Sequence, residues 1–275
     1  MTIKEALQIA KNLSEVQADF EGLWILEKIT GVSVAGLHLA DSNSQLAPQY
    51  EEQFLKMIEQ RKNNVPLQYI LGEWDFMGVK IKCRENVLIP RRDTEILVEE
   101  TINYLKNSTG DKTLLDLCTG TGCIGIALAR HFSHITFSDI SSDAIALAKE
   151  NAELNKIAEK STFVQSDLFD KINGTFDCIT VNPPYISEEG LKTLPLDVQK
   201  EPLLALDGGK DGLNFYRKII PICKNFLTPN GAIFMEIGNK QGNDVRFMLL
   251  ENGFSCAMII KDLELRDRVV YGTLN

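Results

Sequence analysis

The stretch Leu114-Leu115-Asp116-Leu117-Cys118-Thr119-Gly120-Thr121-Gly122-Cys123-Ile124-Gly125 constrains the fold more than any other part of the chain. A largely apolar run suited to a buried strand breaks at a glycine turn and then enters an apolar helix. Glycines let the backbone approach a ligand closely, and a helix start presents free N–H groups to it. Gly120-x-Gly122-x-x-Gly125 fits the G-x-G-x-x-G pattern, and Asp139 closes the next expected strand, where a carboxylate would hold ribose hydroxyls.

From Lys112 onward strands and helices alternate. Strands are expected at 113–117, 134–138, 162–165, 176–181, 232–237, 256–260 and 268–271, with helices between most of them, such as Asp143 to Leu154 behind a Ser141/Ser142 cap. This alternation predicts an α/β fold, a parallel sheet with helices on both faces. Lys261 to Asp267 is too short for a crossover, so the final strand is expected to be antiparallel. Six parallel strands closed by an antiparallel hairpin differ from a plain dinucleotide fold.

The first 72 residues show no strand-like alternation. Thr2-Ile3-Lys4-Glu5 and Ser14-Glu15-Val16-Gln17 both fit the capping box, Leu23, Leu26 and Ile29 recur at helical spacing, Ser33 caps a short helix to Leu39, and Pro48 opens one to about Lys62. Residues 73–92 read as a β-hairpin linker: Trp74 to Ile81 alternates loosely, and Asn86 to Ile89 follows a polar turn. Ile89 to Glu95 then leads into a helix to about Leu105. The expected organisation is a helical domain at 1–72, the linker, and the α/β domain at 93–275.

Charge and cysteine usage narrow the function classes. Lys+Arg is 29 against Asp+Glu 38, a net charge of −9, which lacks the basic footprint of a nucleic-acid binder. The six cysteines form no C-x-x-C and no zinc spacing, and no metal site is expected. The N-terminus lacks the apolar stretch of a signal peptide, and no apolar run reaches the roughly 18 residues a membrane helix requires. The expectation is a soluble, reduced, cytoplasmic protein with no membrane partner. His38, His131 and His134 pair with no nucleophile and read as structural.

The glycine loop and Asp139 leave two ligands open, NAD and the adenosine of S-adenosyl-L-methionine. Asp167, in Ser166-Asp167-Leu168-Phe169, places a second carboxylate after the third strand, where it could accept from an exocyclic amine. Asn182-Pro183-Pro184-Tyr185 follows the fourth strand at the same sheet edge. Two prolines make this turn rigid, and Pro183 pushes Asn182 toward an extended backbone. The Asn182 side-chain oxygen and the Pro183 carbonyl can both accept from a planar NH₂ group, and Tyr185 offers a flat face to it. This suits methylation of an amide or aryl nitrogen, a poor nucleophile that gains most from being held in line with a sulfonium methyl, about 3–3.5 Å away. Accepting its N–H bonds also favours the positive charge that develops on nitrogen.

At these residues the chain resembles the release factor glutamine methyltransferases, the PrmC/HemK family of class I S-adenosylmethionine-dependent methyltransferases. The resemblance is carried by Pro66-Leu67-Gln68-Tyr69-Ile70-Leu71-Gly72, Ile89-Pro90-Arg91-Arg92-Asp93-Thr94-Glu95, Asn182-Pro183-Pro184-Tyr185-Ile186, Glu201-Pro202-Leu203-Leu204-Ala205-Leu206-Asp207-Gly208-Gly209, and Glu236-Ile237-Gly238 with Gln241. It implies a Rossmann-like class I methyltransferase sheet with a terminal antiparallel strand. It further implies methyl transfer to the N5 of the glutamine in the Gly-Gly-Gln motif of class 1 peptide chain release factors. By the same resemblance Cys118, Thr119, Gly120, Thr121 and Gly122 contact the cofactor, Asp139 its ribose and Asp167-Leu168 the adenine region. Asn182, which also borders the cofactor, and Pro183 act in catalysis. Asn182, Pro183, Pro184 and Tyr185 grip the amide, and the N-terminal helices help dock the factor.

Four positions depart from the family pattern: Cys118 for the first loop glycine, Leu168 for an aromatic residue, Arg92 for a second proline, and Glu264-Leu265 for a glycine pair. A positive φ at Cys118 would be strained. Competing readings are glutamine methylation of a ribosomal protein, a nucleic-acid amino methyltransferase, a NAD-dependent dehydrogenase, which leaves the Asn182 to Tyr185 turn unexplained, and a non-catalytic binding protein.

Overall fold

The structure, a computed structural model, describes residues 1–11, 18–106 and 110–274. The chain divides into two compact units, Met1–Glu73 with Pro195–Lys200, and Trp74–Leu194 with Glu201–Asn275.

The first unit is helical: α1 Ile3–Ala10, α2 Ala18–Thr30, α3 Val34–Leu39, α4 Pro48–Lys62 and α5 Leu67–Leu71. The Thr2–Glu5 capping box forms, with each side chain accepting from the other's backbone N–H. Ser33 caps α3, and Pro48 occupies the first turn of α4. The second capping box, Ser14 to Gln17, lies outside the described residues. Ala6, Ala10, Ile25, Leu26, Phe54 and Ile58 form the buried interior. A Cβ at Gly22 would lie 2.6 Å from that of Ala10, so glycine lets α1 and α2 cross closely. Glu21 is buried because Arg61 on α4 donates to both carboxylate oxygens, at 2.9 and 3.1 Å.

The second unit opens with β1 Glu73–Phe76 and β2 Val79–Lys82, joined by a turn with positive φ at Met77 and Gly78. The hairpin thus folds within the Trp74 to Ile81 run instead of pairing that run with Asn86 to Ile89, which is not a strand. The Ile89 N–H instead donates to the Glu201 carboxylate at 3.0 Å, which removes it from any ladder. A 3-10 turn, Arg92–Thr94, leads into α6 Glu95–Leu105. The remaining elements are β3 Thr113–Leu117, α7 Cys123–Leu128, β4 His134–Asp139, α8 Ser142–Leu154, β5 Ser161–Gln165, β6 Phe176–Val181, α9 Glu188–Leu191, α10 Asn214–Cys223, β7 Leu227–Glu236, α11 Gly242–Glu251, β8 Cys256–Lys261 and β9 Asp267–Thr273.

The sheet runs β5-β4-β3-β6-β7-β9-β8. Neighbours from β5 to β7 are parallel, and β9 is antiparallel to both β7 and β8. The final strand is therefore antiparallel as expected, and the hairpin folds back so that β9 lies inside and β8 forms the edge. β7 begins earlier than its alternation predicts, because Leu227 pairs with Phe176 across a register shift. Both faces of the central strands are covered, which is why Leu114 and Leu115 are each fully buried. Leu115, Leu117, Ile179, Val181, Ile233 and Met235 share a core with Tyr216, Ile219 and Ile220 of α10. The strand order reverses beside β3, so the carboxyl ends of β3, β4 and β6 open onto one crevice. Among the described residues, no helix is long and apolar enough to cross a membrane.

Candidate functional site

A cleft of about 210 Å³ lies at those strand ends. Its wall contains Cys118, Thr119, Gly120, Thr121, Asp139, Asp167, Leu168, Asn182 and Pro184, so nine of the residues named from the sequence meet in one place. Gly122, Pro183 and Tyr185 flank the cleft without lining it. Gly122 is the N-cap of α7 at φ 81°.

The glycine loop is held by carboxylates rather than left open. Gly120 N–H donates to Asp139 at 2.9 Å, Gly122 N–H to the Thr119 carbonyl at 2.9 Å, and Gly125 N–H to Asp116 at 3.3 Å. Asp116 is fully buried on β3 and also accepts from the hydroxyls of Thr119 at 2.5 Å and Thr180 at 2.8 Å. Burial raises its carboxyl to about 6 against those three donors. Asp139 accepts a second bond from Ser141 N–H at 2.9 Å, and burial raises it as well. Cys118 adopts the positive φ that the sequence flagged, 57°. Burial, then the charges of Asp139, Asp116 and Asp167, keep its thiol protonated far above the usual range.

This field decides what the cleft can hold. A pyrophosphate needs free N–H groups and positive potential, but three loop N–H groups are engaged and three carboxylates surround the turn. A neutral or cationic ligand with hydroxyls fits, because Asp139 keeps lone pairs for them. S-adenosyl-L-methionine, a sulfonium bearing an adenosine, meets those demands, whereas NAD does not.

The Asn182 to Tyr185 turn is braced on every side. Ile186 N–H donates to the Leu206 carbonyl at 3.0 Å and Gly208 N–H to the Ile186 carbonyl at 2.8 Å. Gln241 Nε2 donates to the carbonyls of Tyr185 and Gly212, both at 3.1 Å, while its Oε1 accepts from Gly238 N–H at 2.8 Å. A Cβ on Gly208 would lie 2.7 Å from Tyr185 Cα, so only glycine permits this approach. Glu201, buried at the start of the bracing loop, accepts from Ile89 N–H and from the Arg91 guanidinium. Asn86 to Arg91 and Pro202, Leu204 and Ala205 are thereby set as cleft walls.

Behind the turn lies another buried acid, Glu236. Asn182 Nδ2 donates to Thr94 Oγ1 at 3.3 Å, and the Tyr185 hydroxyl donates to Glu236 Oε1 at 3.1 Å. The Tyr216 hydroxyl donates to the Glu236 main-chain carbonyl at 2.7 Å. Burial raises the Glu236 carboxyl to about 7, the hydroxyls of Thr94 and Tyr185 lower it, Asp93 raises it and Arg268 lowers it. Glu236 and then burial hold the Tyr185 phenol well above its ordinary range.

Asp116, Thr94, Glu201 and Glu236 enter the site although the sequence does not single them out. A carboxylate inside an apolar strand was a visible signal for Asp116, and the other three sat in recognised motifs. Phe215 and Lys218, whose ammonium lies 5.6 Å from the Phe215 ring centre, join the cleft from α10 with no local signal. Among the described residues, no group of His, Cys, Asp or Glu could hold a metal ion.

Comparison with known proteins agrees with this geometry. Residues 5–72 match the family model "PrmC N-terminal domain", and residues 93–196 match "Methyltransferase small domain". The release factor glutamine methyltransferase of Thermodesulfovibrio yellowstonii is 40% identical over 85% of each chain. That of Borreliella burgdorferi is 36% identical over 98% of this chain and 93% of its own. Among solved structures, a Pyrococcus furiosus methyltransferase has a TM-score of 0.53 at 17% identity, covering 82% of this chain and 98% of its own. The Thermus thermophilus 16S rRNA N2 G1207 methyltransferase, in complex with AdoMet and guanosine, has a TM-score of 0.54 at 18% identity, covering 74% and 50%. These two likenesses concern the fold alone.

Proposed function

The chain belongs to the release factor glutamine methyltransferase family, and we propose that it methylates the side-chain N5 of the glutamine in the Gly-Gly-Gln motif of class 1 peptide chain release factors. The methyl donor is S-adenosyl-L-methionine, which supplies an electrophilic sulfonium methyl when bound. The observation that carries the reading is the rigid Asn182-Pro183-Pro184-Tyr185 turn beside the carboxylate-held glycine loop.

Asp139 would accept from ribose hydroxyls with the lone pairs that Gly120 and Ser141 leave free, and Cys118 to Gly122 would border the same ligand. Asp167 and Leu168 would meet the adenine. Asn182 Oδ1 and the Pro183 carbonyl would accept the two N–H bonds of the glutamine amide, with Pro184 and Tyr185 bounding its plane. An amide nitrogen has a delocalised lone pair, and no ordinary side chain can deprotonate it. Orientation and acceptance of its N–H bonds therefore supply the assistance. The helical region at 1–72 would help dock the protein substrate. Its expected setting is the cytoplasm, where release factors act.

The test is methyl transfer from labelled S-adenosyl-L-methionine to a purified release factor, with the same factor lacking its Gly-Gly-Gln glutamine as control. Label on the first and not the second is expected. Label on both would move the target to another residue. Label on neither, with cofactor binding intact, would turn the search to ribosomal proteins and nucleic acids.

A further inference from the structure

We infer that Asn151 is a positioning residue for the cofactor cleft, because its one side chain ties two of the cleft's walls together. These walls are the glycine loop and the segment that runs on from β2 to Arg91. The inference rests on S-adenosyl-L-methionine as the donor, and not on which nitrogen receives the methyl.

Asn151 lies on α8 and is fully buried. Its Oδ1 accepts from the Lys82 N–H at 2.7 Å, and its Nδ2 donates to the Lys82 carbonyl at 3.2 Å. The side chain thereby pairs with the last residue of β2 as a neighbouring strand would. Nδ2 also donates to the Thr121 carbonyl, at 2.9 Å. Both hydrogens of the amide are then in use, on partners 69 and 30 positions away along the chain.

Thr121 lines the cleft between Gly120 and Gly122, whose φ values are 55° and 81°. Glycine on both sides leaves the peptide planes around Thr121 sterically free to turn over. The Thr121–Gly122 plane is fixed at both ends, with its N–H on the Thr119 carbonyl at 2.9 Å and its carbonyl on Asn151. Turning it over would break both bonds and open the loop. On the other side, Lys82 leads into Asn86 to Arg91, which line the cleft. Val87 of that segment shares a small core with Ala144 and Leu147 of α8. A Cβ at Gly122 would lie 3.2 Å from that of Ala148, so the loop rests on the same helix. Apolar packing thus holds both walls against α8, and the directional bonds of Asn151 fix their register.

Asn155, at the end of α8, supplies the control. Its Nδ2 donates to the Lys80 carbonyl at 2.9 Å, and so it grips the same strand without reaching the loop. Asn151→Asp keeps the shape of the side chain but has no N–H to give and sets a carboxylate against two carbonyls. Asn151→Ser is neutral and too short to span both partners, and it decides the question should Asn151→Asp not fold.

In calorimetry on the full-length protein, S-adenosylhomocysteine should bind the Asn151 variants about ten- to fiftyfold more weakly than the wild type. Asn155→Ala should stay within about threefold of the wild type. Wild-type affinity in a folded Asn151 variant, or an equal loss in Asn155→Ala, overturns the inference. In labelling of a release factor, KM for S-adenosyl-L-methionine should rise by the same factor, with kcat at saturation within about threefold. A fall in kcat at unchanged KM overturns it as well. This kinetic arm alone presupposes the glutamine methylation proposed above. A wild-type enzyme that binds S-adenosylhomocysteine but labels no factor overturns that substrate instead, and the binding arm still decides the role of Asn151.

A third readout needs no ligand. Amide hydrogen exchange at Gly120 and Gly122 should be about tenfold faster in the Asn151 variants and unchanged in Asn155→Ala. The Leu115 amide in β3 reports opening of the whole sheet and should not change with them. An equal acceleration at Leu115 marks a general loss of stability and overturns the positioning role, as does unchanged exchange in the loop.

Discussion

Asn182→Ala removes one of the two acceptors proposed for the glutamine amide and leaves the glycine loop untouched. Cofactor affinity should hold while kcat falls by about a hundredfold, the scale seen when one preorganised polar contact to a transition state is deleted. Single-turnover labelling checks this, and unchanged turnover would sink the proposed mechanism. Cys118 tests strain directly. At φ 57° a side chain crowds the following carbonyl, at about 1–2 kcal/mol for an L-residue. Cys118→Gly should gain up to about 1 kcal/mol, and the branched Cys118→Val should lose about 2 kcal/mol, read from urea midpoints at constant slope. Glu236 makes the protein pH-sensitive. Its carboxyl is raised from 4.5 to about 7 by burial, so the folded state binds more protons than the unfolded one between those values. The stabilisation is present below pH 4.5 and disappears as the pH rises through about 7, a loss of up to about 3 kcal/mol. Asp116, raised from 3.8 to about 6, acts in the same direction at lower pH. Unfolding free energy measured from pH 4 to 8 should therefore fall less steeply in Glu236→Gln than in the wild type.

At the scale of elements, the third glycine of the loop motif matters for packing rather than for conformational freedom. A Cβ at Gly125 would lie 2.4 Å from the Phe137 ring, and Phe137 is fully buried and stacked on Phe163. Gly125→Ala must push α7 off β4, and a loss of about 1–3 kcal/mol in urea denaturation is expected. Most elements were legible because each was encoded locally: Thr2 and Ser33 as caps, Pro48 at a helix start, apolar runs for the central strands. Asn86 to Ile89 was misread for the converse reason. Its apolar residues look strand-like, but the partner of the Ile89 N–H is Glu201, more than a hundred positions away (|i−j| = 112), and no local pattern announces it. The order of the last two strands was similarly hidden. A short connection requires antiparallel pairing but says nothing about which of the two strands meets β7.

For the molecule as a whole, a ligand that binds only the folded chain should stabilise it. S-adenosyl-L-methionine at about a hundred times its Kd is expected to add about 2.7 kcal/mol, visible as a rise in melting temperature. Asp139→Ala should abolish most of that rise, through lost ribose contacts and because Gly120 and Ser141 lose their acceptor. A full rise in the variant would remove Asp139 from the cofactor site. NADH should produce no comparable rise, because the engaged loop N–H groups have no hydrogen left for a pyrophosphate and the neighbouring carboxylates repel it. The sequence by itself determined the fold class, the ends of most elements and the identity of the cleft's main residues, since periodicity, caps and a rigid Asn-Pro-Pro-Tyr turn are properties of neighbouring residues. Only the tertiary structure decided that Asp116 and Asp139 hold the glycine loop, that Glu201 and Gln241 brace the walls and turn around it, and that Thr94 meets Asn182 while Glu236 meets Tyr185. Those partners lie far apart along the chain, and burial converts their hydrogen-bond pairing from a preference into a requirement.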